Sequence, residues 1–391
     1  MTIEQAFESL DDDTDKDPLR PLRLMLRFGV SVSEETKRPE VSSIASRPGR
    51  GIAGRIAQIT LFVGIVVGVF AVVLPRVTDL GDVWTIIRSM SLTKYLLLVC
   101  ATVWNVVTYW PVVVAGLPGL TYPQAAVVNQ SSTSVAMTVP GGGAIAVGVS
   151  YAMFRSWGFR RSQIALSALV TGISNLFMKL ALPAVALALL AVKHDDSPGL
   201  VSAAVIGVTV LLGATVTLTL MLWSDAFARR IGSFFGRVLA TVPLLVRRGP
   251  VKDWGDIAVG FRTEMLELLR DRWLFLVVST VISHLSVFLV LLLSIRFVGV
   301  SVHQVSTLRV LAVFALVRLA SSVPIVPGNV GLAELGYVAG LVLAGGDKPD
   351  VVAAVLVFRF LTYYAQIPLG AVTYLIWRGN RSWRKAPPPD R

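Results

Sequence analysis

The chain has 391 residues, 54% of them hydrophobic and 15% charged, with a mean hydropathy of +0.70 and a formal charge of +12. Soluble proteins carry about 25% charged residues, so this composition excludes a soluble globular enzyme, a disordered protein and a disulfide scaffold. The single cysteine, Cys100, excludes an intrachain disulfide or a cysteine metal site.

Residues 1–50 hold ten of the 24 acidic residues and turn polar and Ser/Pro-rich from Val30 to Arg50, which predicts a disordered tail. The first apolar run starts too late, and after too many acids, for a signal peptide. Residues 51–377 read as a membrane domain. A span needs roughly 20 apolar residues, and six stretches qualify: 56–74, 94–116, 162–192, 199–223, 273–298 and 350–377. Two more, 122–157 and 303–345, are interrupted at Pro140-Gly141-Gly142-Gly143 and at Pro324-Ile325-Val326-Pro327-Gly328-Asn329. Proline and glycine end helices there. Each stretch is therefore expected to form a re-entrant helical hairpin or two short tilted spans. The cytoplasmic linker 224–272 carries Phe227, Ile231, Phe234, Phe235, Val238 and Leu239 at helical spacing, with Arg229, Arg230 and Arg237 elsewhere on the turn. That pattern suits an amphipathic helix on the inner leaflet or a solvated connector. Residues 378–391 form a basic tail.

With the N-terminus in the cytoplasm, the inside segments 47–55, 155–161, 225–272 and 378–391 carry 20 of the 36 Lys and Arg, and the outside loops carry six. The positive-inside bias predicts a multi-pass protein of the cell membrane with both termini cytoplasmic. It assigns the basic charge to topology and to anionic inner-leaflet lipids, and leaves no nucleic-acid partner to expect.

The two broken stretches match. Val139-Pro140-Gly141 is followed by Pro183, 43 residues after Pro140, and Val326-Pro327-Gly328 by Pro368, 41 residues after Pro327. Each unit is a span, a broken hairpin and a span, at about 94–193 and 273–377, and the first spans run in opposite directions. The expected fold is thus an all-α polytopic membrane protein with inverted repeats and two broken hairpins, an arrangement associated with transporters. Unwound backbone at membrane depth is tolerated only where protein, water or substrate satisfies it.

One acid, Glu334, stands at membrane depth outside the tail, with four bases: Lys179, Arg309, Arg318 and Arg359. Unpaired charge there costs roughly 2.5–3.5 kcal/mol or more. Thr171 and Asn175 share a helical face with Lys179, and Thr362, Tyr363 and Gln366 share one with Arg359. Both stripes should face the bundle interior and could offer positive charge to an anionic group. Glu334 is expected to pair with Arg318 or Arg359. His284, with Ser283 and Thr280, is expected to hydrogen-bond a neighbouring helix, and Asn105, Thr108 and Tyr109 mark a further polar patch. Arg309 is expected to reach the outer interface. The three histidines show no metal-ligand spacing, and no nucleotide fingerprint or nucleophile elbow occurs, so neither a cofactor nor an enzyme activity is expected.

The run Pro324-Ile-Val-Pro327-Gly328-Asn329-Val-Gly331-Leu-Ala-Glu334, with Arg359 25 residues later, resembles the lysylphosphatidylglycerol synthase transmembrane, or flippase-like, family over roughly 55–377. That family's pattern is Pro-x-Pro-Gly-Gly-x-Gly-x-x-Glu followed by Arg. Asn329 stands where the second glycine is usual, and Pro140–Gly143 replaces a Pro-x-Arg-x-Gly-Glu element. The family's C-terminal synthase is expected to be absent. The resemblance implies movement of an anionic phospholipid or lipid-linked headgroup between leaflets. Expected substrate-binding residues are Arg359, Lys179, Arg318, Glu334, Asn175 and Tyr363, with Pro140, Gly141, Pro327 and Gly328 opening the path. The same features would serve a secondary transporter of a small anion. They would also serve a non-transporting membrane subunit that docks a glycosyl- or acyltransferase through 224–272, and a homo-oligomer or a membrane enzyme partner fits either reading.

Overall fold

The computed structural model describes residues 80–138, 142–193, 198–240, 254–322 and 329–385. The expected tail 1–50, the span 56–74 and the tail from 386 onward lie outside them. So do the break residues Pro140, Gly141, Pro327 and Gly328.

Every regular element among the described residues is helical. In chain order these are α1 (Leu80–Ser89), α2 (Leu92–Thr108), α3 (Trp110–Gly116), α4 (Tyr122–Thr138), α5 (Gly142–Ser156), α6 (Arg161–Lys193) and α7 (Pro198–Trp223). There follow α8 (Asp225–Ala240), α9 (Trp254–Val298), α10 (Thr307–Ala320), α11 (Leu332–Leu343) and α12 (Lys348–Arg359). A π-helical turn (Phe360–Tyr364), α13 (Gln366–Gly379) and a 3₁₀ turn (Arg381–Trp383) complete the order. Five segments are long and apolar enough to cross a bilayer: Leu92–Gly116, Arg161–Lys193, Val205–Trp223, Trp254–Val298 and Lys348–Gly379. They correspond to the five expected spans that fall within the described residues. Along α7, Val205, Ile206, Val210, Leu212 and Val216 are all exposed. A helix apolar around its circumference, with no protein over those residues, finds its solvent in hydrocarbon. The chain is an all-α, multi-pass membrane protein.

Two elements differ in extent from expectation. The span 94–116 is interrupted at Tyr109, between α2 and α3, because Pro111 removes a backbone donor just after it. The span 273–298 is the second part of α9, whose 45 residues measure about 68 Å at 1.5 Å per residue, roughly twice the hydrocarbon thickness. Its first turns therefore run beyond the apolar segment, and α8 packs on them. Ala228 and Gly232 are buried there, with Trp254 and Ala258 facing Gly232. Ion pairs join Arg229 to Asp256 and Arg262 to Asp225. The linker helix thus has a protein partner, reached through small residues that a count of apolar positions overlooks.

The bundle has two distinct ends. At one, Trp157, Tyr374, Trp377 and Trp383 gather, with Trp157 edge-on to Trp383 and Trp377 Nε1 donating to Ser156 Oγ at 3.0 Å. At the other, Lys94 Nζ donates to the Phe297 carbonyl at 2.8 Å, and Arg296 to the carbonyls of Val300, Ser301 and Val305. Helices α4 and α5 form a hairpin open at the first end. Ala125, Val127 and Val128 from the start of α4 share a buried cluster with Met153 and Phe154 from the end of α5. Helices α10 and α11 form a hairpin open at the second end, where Arg309 Nη1 donates to the Ala344 carbonyl at 3.3 Å. Val317 facing Gly336, and Val313 facing Gly340, continue that antiparallel register toward the tip.

The packing between 94–193 and 273–377 is reciprocal. The opening helices α2 and α9 pack on each other, α4 packs on the closing helix α13, and α10 packs on the closing helix α6. A large buried cluster centres on the second unit, around Val290, Leu291, Ile295, Phe314, Tyr337, Leu341, Val351 to Val355 and Phe358, and takes in Ala101 and Leu182 from the first.

Candidate polar site at the hairpin tips

Helix α11 starts from an unusual backbone. Asn329 has φ 51° and Gly331 φ 88°, and Asn329 is the one described non-glycine residue with positive φ. Asparagine tolerates the left-handed region better than other side chains, which accounts for its standing where glycine is usual. Its Nδ2 also donates to the carbonyl of Ser321, the C-terminal cap of α10, at 2.7 Å. The Gly331 N–H donates to Glu334 Oε2 at 2.7 Å. A carboxylate at the third helical position reaching back to the capping residue satisfies an N–H that the helix leaves orphaned. The spacing Gly-x-x-Glu thus has a local mechanical basis.

The other carboxylate oxygen faces Arg359. Arg359 Nε donates to Glu334 Oε1 at 2.7 Å, with the two side chains 11% and 3% exposed. The expected alternatives for the partner of Glu334 resolve to Arg359. Its guanidinium also lies over the ring of Tyr363, 4.5 Å from the centroid. Directly after Arg359 the chain takes the π turn, where the Ala365 N–H bonds to the Phe360 carbonyl at 2.9 Å. Single π turns inside α-helices frequently sit at functional sites. Within this turn, the Tyr363 hydroxyl donates to the Met137 carbonyl at 2.8 Å. Met137 belongs to the last turn of α4, so the final span touches both hairpin tips within five residues. Toward the first end the α4–α13 seam continues, with Ser134 Oγ donating to the Ile367 carbonyl at 3.0 Å and Ser131 Oγ 3.0 Å from Thr373 Oγ1.

Beside this junction stands a second group. Arg318 on α10 and Lys179 on α6 lie close enough for their charges to interact. Arg318 also interacts electrostatically with Tyr337, Tyr109 and Arg359, and His284 with both Arg318 and Lys179. The α6–α10 packing explains this: Ala186 and Leu190 meet Leu308 and Ala312 in one cluster, and Lys179 and Arg318 sit about two turns further along their respective helices, at one level. Asn175, one turn before Lys179, donates from Nδ2 to the Tyr109 hydroxyl at 3.1 Å and to the Thr171 carbonyl at 2.8 Å. Among the described residues neither Arg318 nor Lys179 takes part in an ion pair. Arg318 Nε is buried without a hydrogen-bond partner, as is Nε2 of His284, a residue 2% exposed.

The structure therefore brings Arg359, Glu334 and Tyr363 together at the tips, and Lys179, Arg318 and Asn175 into the adjacent group. Gly142 and Gly143 open α5, whereas Pro140, Gly141, Pro327 and Gly328 lie outside the described residues. Arg309 sits at the open end of its hairpin, in keeping with a place near an interface. The expectation for His284 is corrected. Its Nδ1 faces the Thr280 carbonyl of its own helix at 3.0 Å, because a histidine four residues after a carbonyl reaches it without leaving the helix. The bond between α2 and α9 is made instead by Asn105 Nδ2 donating to Ser286 Oγ at 2.9 Å, with Thr108 Oγ1 equally close. The sequence reading also passed over the α4 seam. The polar run 129–134 inside an apolar stretch was its signal.

Against known families, the model of the lysylphosphatidylglycerol synthase TM region matches residues 61–370. No curated protein and no solved structure gives a match.

Proposed function

The chain belongs to the lysylphosphatidylglycerol synthase TM region family, and from that membership and the geometry at the hairpin tips we propose that it is a lipid flippase-like transporter. In this reading it carries an anionic phospholipid or lipid-linked headgroup between the leaflets of the cell membrane, with both termini in the cytoplasm. The observation that carries the reading is the junction on the final span. Arg359 holds the tip of the α10–α11 hairpin through Glu334, and Tyr363 holds the tip of the α4–α5 hairpin through Met137. Hairpins open at opposite ends, meeting at one level, leave a single barrier between two half-paths. The reciprocal packing of α4 on α13 and α10 on α6 supports inverted repeats, in which parting of one tip and then the other exposes the same level to each side in turn. The cationic side chains beside the junction would hold the phosphate, and the lipid tails would remain in hydrocarbon.

The test is lipid exchange in proteoliposomes that contain a fluorescent phospholipid quenched from outside. Protein-dependent quenching of the inner-leaflet pool, beyond that in empty liposomes, supports the reading. Uptake of a water-soluble anion without lipid movement would replace it with a secondary transporter. Neither activity, with co-purification of a membrane glycosyl- or acyltransferase, would replace it with a docking subunit.

A further inference from the structure

Charge bookkeeping at membrane depth narrows the headgroup, and this step rests on the transport reading above. Four bases and one acid stand at that depth. Glu334 is committed to Arg359, and its second oxygen to the Gly331 N–H. Arg309 lies at the open end of its hairpin, donating to the Ala344 carbonyl. Lys179 and Arg318 are left, near enough to repel each other, with no acid to balance them. The breaks at 139–141 and 323–328 and the apolar run 56–74 contain no Asp or Glu, so the balancing charge has no source in the membrane part of this chain. Arg318 Nε, buried and without a partner, leaves a donor unused at the same place. Two like charges near each other in a partly buried place at membrane depth are costly, and a bound anion offsets that cost in proportion to its own charge.

A phosphodiester, as in an ordinary diacyl phospholipid headgroup, supplies one negative charge. A phosphomonoester supplies nearly two above its second pKa of about 6, and a diphosphate at least two. We propose that the Lys179–Arg318 level is a receptor for a doubly charged phosphate, a phosphomonoester or diphosphate group, in preference to a phosphodiester.

The experiment measures binding to the purified full-length chain in detergent. The probes are phosphatidic acid, phosphatidylglycerol and inorganic pyrophosphate. At about pH 8, where the monoester is doubly charged, phosphatidic acid should bind at least about tenfold more tightly than phosphatidylglycerol, the factor that about 1.4 kcal/mol of extra ion pairing gives. At about pH 5, below the second pKa of the monoester, the preference should largely vanish. Lys179→Gln and Arg318→Gln should each remove most of it at the higher pH, whereas Lys179→Arg should keep it. If Arg318→Gln does not fold, the two Lys179 variants decide the matter. Competition by pyrophosphate would show that the receptor accepts a free dianion from water. Preference for phosphatidic acid without such competition would show that the dianion must arrive on a lipid. Equal binding of the two lipids at about pH 8, or a preference unchanged by Lys179→Gln, overturns the proposal. Lipid exchange of phosphatidylglycerol without any dianion preference would overturn this inference and leave the transport reading standing. A dianion preference without lipid exchange would do the reverse.

Discussion

Removing one member of the Glu334–Arg359 pair should cost more than removing both. The pair is 2.7 Å apart, with side chains 3% and 11% exposed. Breaking a buried pair by deleting one partner usually costs about 3–5 kcal/mol, since the other charge stays buried. The structure makes the two deletions unequal. After Arg359→Gln, the Glu334 carboxylate keeps the Gly331 N–H at Oε2 but has lost the cation at Oε1, so the loss should fall near the top of that range. After Glu334→Gln, Arg359 still lies over Tyr363, worth about 0.5–2 kcal/mol, and the Gln carbonyl can still accept the Gly331 N–H. The loss should fall near the bottom. Glu334→Ala also removes the acceptor for Gly331 and should cost about 1 kcal/mol more than Glu334→Gln, as loss of a helix cap does. The double variant Glu334→Gln/Arg359→Gln buries no charge and should cost less than either single change, far below their additive sum. Thermal or denaturant unfolding of the detergent-purified protein measures all four. Lipid exchange should stay impaired in the double variant, because the α10–α11 tip is no longer tied to the final span. Additive losses, or equal losses for Glu334→Gln and Glu334→Ala, would refute the reasoning.

Other expectations follow from single contacts. A methyl at Gly370 would overlap Ser134 Cβ and the Gln130 carbonyl, so Gly370→Ala should lower the unfolding midpoint, whereas Gly379→Ala, with open space around it, should leave it unchanged. Asn329→Gly keeps φ 51° free of strain but loses the bond to Ser321 and should cost about 1 kcal/mol, and Asn329→Val, which adds backbone strain, should cost more, both measured by the same unfolding assay. Tyr363→Phe removes the bond to Met137 and should lower stability by about 1 kcal/mol while changing the lipid exchange rate by a larger factor. In a Cys100→Ala background, cysteines at Ser233 and Ser382 should label from the cytoplasmic side and one at His303 from outside. Labelling of all three from one side would contradict the topology.

Much of the fold was legible because hydrocarbon imposes a simple rule. A span must be long and apolar, and five of the six expected stretches reappear within helices, four of them at almost the same limits. The length of α9 was not legible, because residues 254–272 are polar enough to resemble a connector and become helix through packing on α8. That packing uses Ala228, Gly232 and Gly236, whose smallness leaves no mark in a hydropathy pattern. At the site, cost decided what could be read. Lys179, Arg318, Glu334 and Arg359 stand out in an apolar chain since each is expensive where it is. The pairing of Glu334 with Arg359 in preference to Arg318 depended on the antiparallel turn between α11 and α12, which sequence spacing leaves open. The Tyr363–Met137 bond was out of reach, because its acceptor is a backbone carbonyl and its geometry comes from a π turn that no residue pattern announces.

In the proposed transport cycle the α4–α5 tip must part from the final span for a headgroup to pass. Ser131 Oγ and Thr373 Oγ1 are 3.0 Å apart on that seam, close enough for cysteines at both positions to bond with small adjustment. The decisive measurement is lipid exchange by the Ser131→Cys/Thr373→Cys protein in a Cys100→Ala background, oxidised and then reduced in the same proteoliposomes. Exchange should stop when the disulfide forms and return on reduction. Undiminished exchange with the disulfide fully formed would contradict it.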